Sequence, residues 1–194
     1  MTQFEQLTKF ISDKLRDELP AHLTYHHIDH TLDVMQAAAL LAAAEHVTEP
    51  GKNLLAAAAL LHDTGFLTGR GNHEESSCRI ARFYLPAYGY AVAEIESICD
   101  LIMATRLPQS PKSKLAEILC DADLDYLGRD DFFEGSDRLF NELKNEGLVR
   151  DEDQWNRQQA DFMGGHSYFT KTAINLRQSQ KERYIEQIKL KITA

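Results

Sequence analysis

Leu60-Leu61-His62-Asp63-Thr64-Gly65 closes a run, Asn53-Leu54-Leu55-Ala56-Ala57-Ala58-Ala59, that has high helix propensity and almost no polar face. A helix apolar on every side belongs at the centre of a domain, so His62 and Asp63 are expected at its buried inner end, with Gly65 as a left-handed C-terminal cap. Burying an unpaired carboxylate is expensive. A divalent cation would satisfy the imidazole and the carboxylate together. The simpler alternative is a helix-ending His-Asp dipeptide bonded to its own backbone. For an isolated pair that alternative is favoured, so the rest of the chain decides.

Outward from this helix the pattern stays helical. Phe4, Leu7, Ile11 and Leu15, with Phe10 beside them, predict an amphipathic helix over 3–18. An Ala-rich helix follows His26-His27-Ile28-Asp29-His30 and reaches about Glu45, and Pro50-Gly51 separates it from the central helix. Asn72 with Glu75 reads as a capping box that opens the next helix, which ends near Pro86. Val92, Ile95, Ile98 and Ile102 mark another stripe, Pro108 and Pro111 break it, and Ser113 caps a helix carrying Leu115, Ile118 and Leu119. Further helices are expected around Leu139–Leu143 and Trp155–Phe162, with a long last helix from about His166. No window alternates apolar and polar residues. The fold class is therefore all-α, a bundle of about eight helices. Asp130–Asp153 reads as a lid or a solvated surface.

With 194 residues, 43% hydrophobic and 26% charged, the chain suits a single soluble domain over 1–194, its core at about 20–130 and a helical extension over 131–194. No apolar run is long enough to span a bilayer and the N-terminus lacks signal-peptide character. Cys78, Cys99 and Cys120 read as buried free thiols in a reducing cytoplasm. A net charge of −9 argues against a nucleic-acid polymer or an anionic membrane as partner, while leaving room for a small phosphorylated substrate beside a local cation. Oligomeric state is not legible.

If helical, His26 and His30 lie one turn apart on one face. A zinc-protease reading of His-x-x-x-His needs a Glu after the first His, and His27 stands there. Cys120-Asp121-Ala122-Asp123-Leu124-Asp125 sets carboxylates in an apolar helix, with Asp123 and Asp125 expected to face solvent. Tyr25-His26-x-x-x-His30-Thr31-x-x-Val34, then His62-Asp63, then Asp121 resembles the HD-domain superfamily of metal-dependent phosphohydrolases over roughly residues 20–130. The first stretch is also similar to the Tyr-His-Asn-x-x-His signature of cyclic-nucleotide phosphodiesterases, with His27 in place of Asn.

The resemblance implies a ligand set of His30, His62, Asp63 and Asp121, the last in preference to its neighbour Asp123. Two imidazoles and two carboxylates suit Mn²⁺, Fe²⁺, Co²⁺, Ni²⁺, Zn²⁺ or Mg²⁺. A bound ion polarises a phosphoryl oxygen and lowers the pKa of its water, which Asp63 could also orient. His26 resembles the phosphodiesterase histidine that protonates the leaving oxygen; its alternative is a hydrogen bond holding His30. His73 is a further catalytic candidate, because superfamily members with two metals add histidines downstream. The second such histidine is absent from Ala104-Thr105-Arg106, which implies one metal per chain with at most a weak second site. Phe66 stands where the cyclic-di-GMP-cleaving branch has Lys, and Thr64-Gly65-Phe66-Leu67 lacks the glutamate of some nucleotidases. Arg106, Arg177 and Lys181 are candidates for phosphate binding, and His166 for a further polar group near the site. The implied activity is hydrolysis of a phosphomonoester or phosphodiester, with a nucleotide as substrate. The rival reading is a catalytically silent helical regulatory module of the same origin. A redox di-iron bundle would need Glu-x-x-His pairs, and the chain has none.

Overall fold

The structure is a computed structural model that describes residues 1–192. Among the described residues there are nine α-helices, three short 3₁₀ turns and no strand. The chain divides into two compact units, Met1–Pro20 with His26–Asp123, and Ala21–Tyr25 with the residues from Leu124 onward.

The first unit is built around α3 (Glu49–Leu61), whose residues 57–61 are wholly excluded from solvent. α1 (Gln3–Glu18), α2 (Ile28–Ala44), α4 (His73–Tyr84), α5 (Val92–Ala104) and α6 (Lys114–Asp123) all pack against it. An Ala/Leu helix has no polar side to turn outward, so neighbours on every side are the arrangement that its sequence demands. Pro50 sits in the first turn of α3, where its missing N–H costs nothing, so Pro50-Gly51 opens this helix and does not merely precede it. α1 begins on a reciprocal box: Thr2 Oγ1 accepts from the Glu5 amide at 3.1 Å, and Glu5 Oε2 accepts from the Thr2 amide at 2.8 Å.

Two expected caps are different in the structure. Asn72 precedes α4 with φ 54 and makes no side-chain cap bond, so no capping box forms there. Gly65 is not a left-handed cap but part of the 3₁₀ turn Thr64–Leu67. It must be glycine for a different reason: a Cβ there would lie 1.8 Å from the His73 carbonyl oxygen. The turn after His62-Asp63 is thus pressed directly on the first residue of α4.

The second unit packs α8 (Glu152–Gly165) along α9 (Lys171–Ile192), with the 3₁₀ turn Asp125–Gly128 against α9 and α7 (Phe132–Asn145). Gly128 lets this turn approach closely, since a Cβ would come within 2.4 Å of the Arg177 carbonyl oxygen. Phe132 stacks on Tyr184 at 4.7 Å inside a cluster that includes Leu127, Met163 and Ile188. The 130–153 segment is not simply a solvated surface, because α7 buries Phe132, Ser136 and Glu142. Glu142, fully buried, accepts the Tyr25 amide at 2.8 Å, and Thr24 Oγ1 donates to the Arg138 carbonyl at 2.7 Å. The last helix starts at Lys171, and His166 caps the end of α8 instead of opening α9.

Candidate metal centre

His62 and Asp63 come off the end of α3 and enter a small polar cluster at its inner end. His62 is 1% exposed, and its Nδ1 donates to the Ala59 carbonyl at 2.8 Å. A carbonyl only accepts, so Nδ1 carries the proton and Nε2 is turned inward as a donor atom. The turn is held from behind by Ser77, which donates to the His62 carbonyl at 2.6 Å and accepts from the Gly65 amide at 2.8 Å.

His30, in the first turn of α2, brings its Nε2 to 3.4 Å from that of His62. Asp63 Oδ2 lies 3.3 Å from His30 Nε2 and 3.2 Å from His62 Nε2. From the last residue of α6, Asp123 Oδ1 lies 3.3 Å and 3.5 Å from the same two nitrogens. The carboxylate that meets the imidazoles is therefore that of Asp123, not the Asp121 expected from the sequence. Residues two apart on an α-helix point about 200° apart, so one of the two must face away. Asp121 is wholly buried but is not part of the group that His30, His62 and Asp123 form, and Asp123 does not face solvent.

Charge in the cluster is mutually reinforced. Burial opposes charging the His30 and His62 rings, but the Asp63 and Asp123 carboxylates outweigh it and raise both pKa values, His62 well above its ordinary value. Burial would likewise raise the Asp63 carboxyl, yet His62 and His30 hold it well below the usual carboxylate range. Asp123 is brought down to about 2 by the same two rings, against its own burial.

The donor set fits a divalent ion. Ligands about 2.1 Å from a shared cation sit roughly 3.0–3.4 Å from their neighbours, close to the 3.2–3.5 Å separations here. Nε2 of His30, Nε2 of His62 and a carboxylate oxygen of Asp123 all lie within 4.8 Å of one another.

A comparison with known protein families matches residues 27–125, just over half the chain, to the HD domain. The chain belongs to the HD-domain family. A solved structure, the crystal structure of a predicted HD superfamily hydrolase from an uncultured Thermotogales bacterium, aligns with a TM-score of 0.62 at 23% identity, covering 95% of this chain and 91% of that one. At that identity the likeness speaks for the HD-type fold alone. No curated protein matches this chain. No helix among the described residues is long and apolar enough to cross a membrane.

Of the other sequence candidates, His26, His73 and Arg106 belong to the same unit as the cluster. His26 lies before α2, whose N-cap is His27, so it is not on the helix with His30; it meets the His30 ring edge-on at 5.8 Å. His73 opens α4, its Nδ1 donates to the Arg70 carbonyl at 3.1 Å, and its Nε2 lies 3.5 Å from Asp63 Oδ1. Both rings pack on Phe66, at 4.3 Å each. Arg106 is held by Glu74 at 3.3 Å and Glu75 at 3.1 Å. Arg177 and Lys181 belong to the other unit and have internal partners there. Arg177 grips Asp125 through Nε at 2.7 Å and Nη2 at 3.0 Å, which accounts for a buried Asp125 that was expected to face solvent. Lys181, 1% exposed, donates to the His166 carbonyl at 2.5 Å.

Sequence reasoning missed Ser77, Glu74 and the packing of the His26 and His73 rings on Phe66. Glu74 is 6% exposed, with Oε1 3.6 Å from His73 Nε2. A buried glutamate next to a histidine at a helix start is a usable signal. Ser77 carries none, since a buried serine in an amphipathic helix is ordinary.

Proposed function

We propose that this HD-domain protein is a metal-dependent phosphohydrolase that cleaves a phosphomonoester or phosphodiester. The observation that carries this reading is the convergence of His30, His62 and Asp123, with Asp63 Oδ2 3.3 Å and 3.2 Å from the two imidazole nitrogens. These four side chains would hold one divalent ion, from the group Mn²⁺, Fe²⁺, Co²⁺, Ni²⁺, Zn²⁺ and Mg²⁺. Such an ion, when bound, supplies polarisation of a phosphoryl oxygen and of water.

The chain's own groups supply the rest. Asp63 uses its two oxygens differently: Oδ2 faces the imidazole pair and Oδ1 faces His73. That second oxygen orients a water by accepting its hydrogen bond. The His73 Nδ1 proton is committed to the Arg70 carbonyl, so Nε2 is the atom that takes the water's proton and passes it to solvent. His26, beside His30 and outside the donor set, protonates the leaving oxygen. Arg106, partly exposed, is the cation we assign to a phosphate oxygen, in exchange for part of its contact with Glu74 and Glu75. A nucleotide is the substrate class that we propose, on family resemblance alone, since a fold does not fix a substrate. Three buried thiols suit a reducing compartment such as the cytoplasm.

The test is a screen of phosphomonoesters and nucleotides against the protein loaded with each of these metals. Metal-dependent release of phosphate or alcohol supports the reading. A protein that loads metal yet turns over no phosphoester would overturn it.

A further inference from the structure

Building on the hydrolase reading, we propose that Phe66 is the positioning residue for both proton-handling histidines, its one ring setting the planes of His26 and His73. The ring centroids of His26 and His73 each lie 4.3 Å from that of Phe66, with interplanar angles of 21° and 31°. Phe66 is 2% exposed, so its ring is immobilised by packing.

The two histidines need such a support. His26 stands in irregular chain before the N-cap of α2, and His73 is the first residue of α4, after a loop containing Gly69 and Gly71. His26 lies outside any helix, and His73 has helix on its C-terminal side only. Phe66, by contrast, is fixed to the rigid end of the central helix. Its amide donates to the Asp63 carbonyl at 3.0 Å, and the preceding Gly65 is tied to Ser77 and pressed on the His73 backbone. The Arg70 guanidinium covers the same ring at 5.1 Å, and the Arg70 carbonyl receives the His73 Nδ1 proton. A phenyl ring here thus couples the placement of both imidazoles to the placement of Asp63. Catalytic groups must be held to within about 0.5 Å of a productive geometry. A flexible aliphatic side chain of similar volume fills the space without imposing a plane.

The experiment compares wild type, Phe66→Leu and Phe66→Tyr in three readouts. The first is independent of turnover: histidine ring-proton resonances of the metal-free protein, assigned with His26→Gln and His73→Gln. Loss of the phenyl ring current should move the His26 and His73 signals in Phe66→Leu and leave those of His30 and His62 nearly in place, while Phe66→Tyr stays close to wild type. The second is metal content, expected to be equal in all three. The third is turnover of the best substrate from the screen, with kcat expected to fall on the order of 10-fold in Phe66→Leu, KM to change little, and Phe66→Tyr to recover most of the loss. Unmoved His26 and His73 signals, an unchanged kcat, or a kcat loss matched by loss of metal would each overturn the assignment. Absence of turnover in the wild type would overturn the hydrolase reading, and nuclear Overhauser contacts of the His26 and His73 ring protons with their other neighbours, lost in Phe66→Leu and kept in Phe66→Tyr, would still decide whether Phe66 sets the two rings.

Discussion

The His62 ring donates through Nδ1 to the carbonyl of Ala59, three residues earlier in the same helix, at 2.8 Å. This bond links the central helix to the chemistry. It commits one ring nitrogen to the backbone, so the other faces His30 Nε2 at 3.4 Å, in a pocket shared with two carboxylates. A cation answers that arrangement of inward-turned lone pairs and acidic oxygens.

The two aspartates of α6 should separate cleanly. Asp123→Asn is expected to strip the metal and abolish turnover. Asp121→Asn should retain metal and instead lower stability by about 1–3 kcal/mol, as expected when a buried, bonded carboxylate is altered. Metal content and chemical denaturation of both variants check this; metal loss in Asp121→Asn with retention in Asp123→Asn would reverse the assignment.

That choice marks the limit of what the sequence makes legible. The Ala/Leu run before His62 announces a central helix, because no polar side is available to face water, and the His-Asp pair at its end follows from it. In Asp121-Ala122-Asp123, by contrast, each acid could be the inward one. Which faces α2 and α3 depends on the rotation of α6 about its own axis, a tertiary property absent from local periodicity. The condition that His26 be helical with His30 fails for a related reason: a histidine, His27, caps α2, its Nδ1 accepting from the Asp29 amide at 3.1 Å, and this side chain is a weak capping signal in a sequence. Gly65 was recognised as special but for the wrong cause, since the crowding comes from α4, eight residues on.

His26→Ala should keep the metal and slow the reaction by roughly 10²–10⁴-fold, the usual contribution of a general acid. Metal analysis beside steady-state kinetics distinguishes this from a ligand role, for which metal and activity would fall together.

The titration behaviour of the cluster predicts opposite pH slopes with and without metal. In the metal-free protein the raised pKa values of His30 and His62 stabilise the fold below the ordinary histidine pKa, and that contribution is lost as pH rises through the folded values. The depressed carboxyls contribute above the ordinary aspartate pKa and lose their effect as pH falls, for Asp123 toward about 2. With chelator, the cluster's contribution is therefore greatest between roughly pH 4 and pH 6.5 and declines above. Metal requires the rings neutral, so added Mn²⁺ should reverse the decline on the alkaline side. Thermal melts from about pH 5 to pH 9 in the two conditions check this; parallel slopes would count against a metal at these residues.

Gly65→Ala should destabilise the fold by at least about 1–3 kcal/mol, since a methyl group at that point meets the His73 carbonyl and overpacking costs on that scale. The 3₁₀ turn and the start of α4 must then part, so the variant should also bind metal more weakly. Denaturation midpoints and metal titration measure both effects, and a Gly65→Ala protein of wild-type stability would show that the contact is relieved at no cost.

The most direct measurement is metal stoichiometry of the purified protein and of His62→Ala after identical reconstitution with Mn²⁺, with circular dichroism confirming that both are helical. The wild type should hold about one ion per chain and His62→Ala essentially none. A wild type that takes up no ion, or a His62→Ala variant that holds it as tightly, would contradict the account.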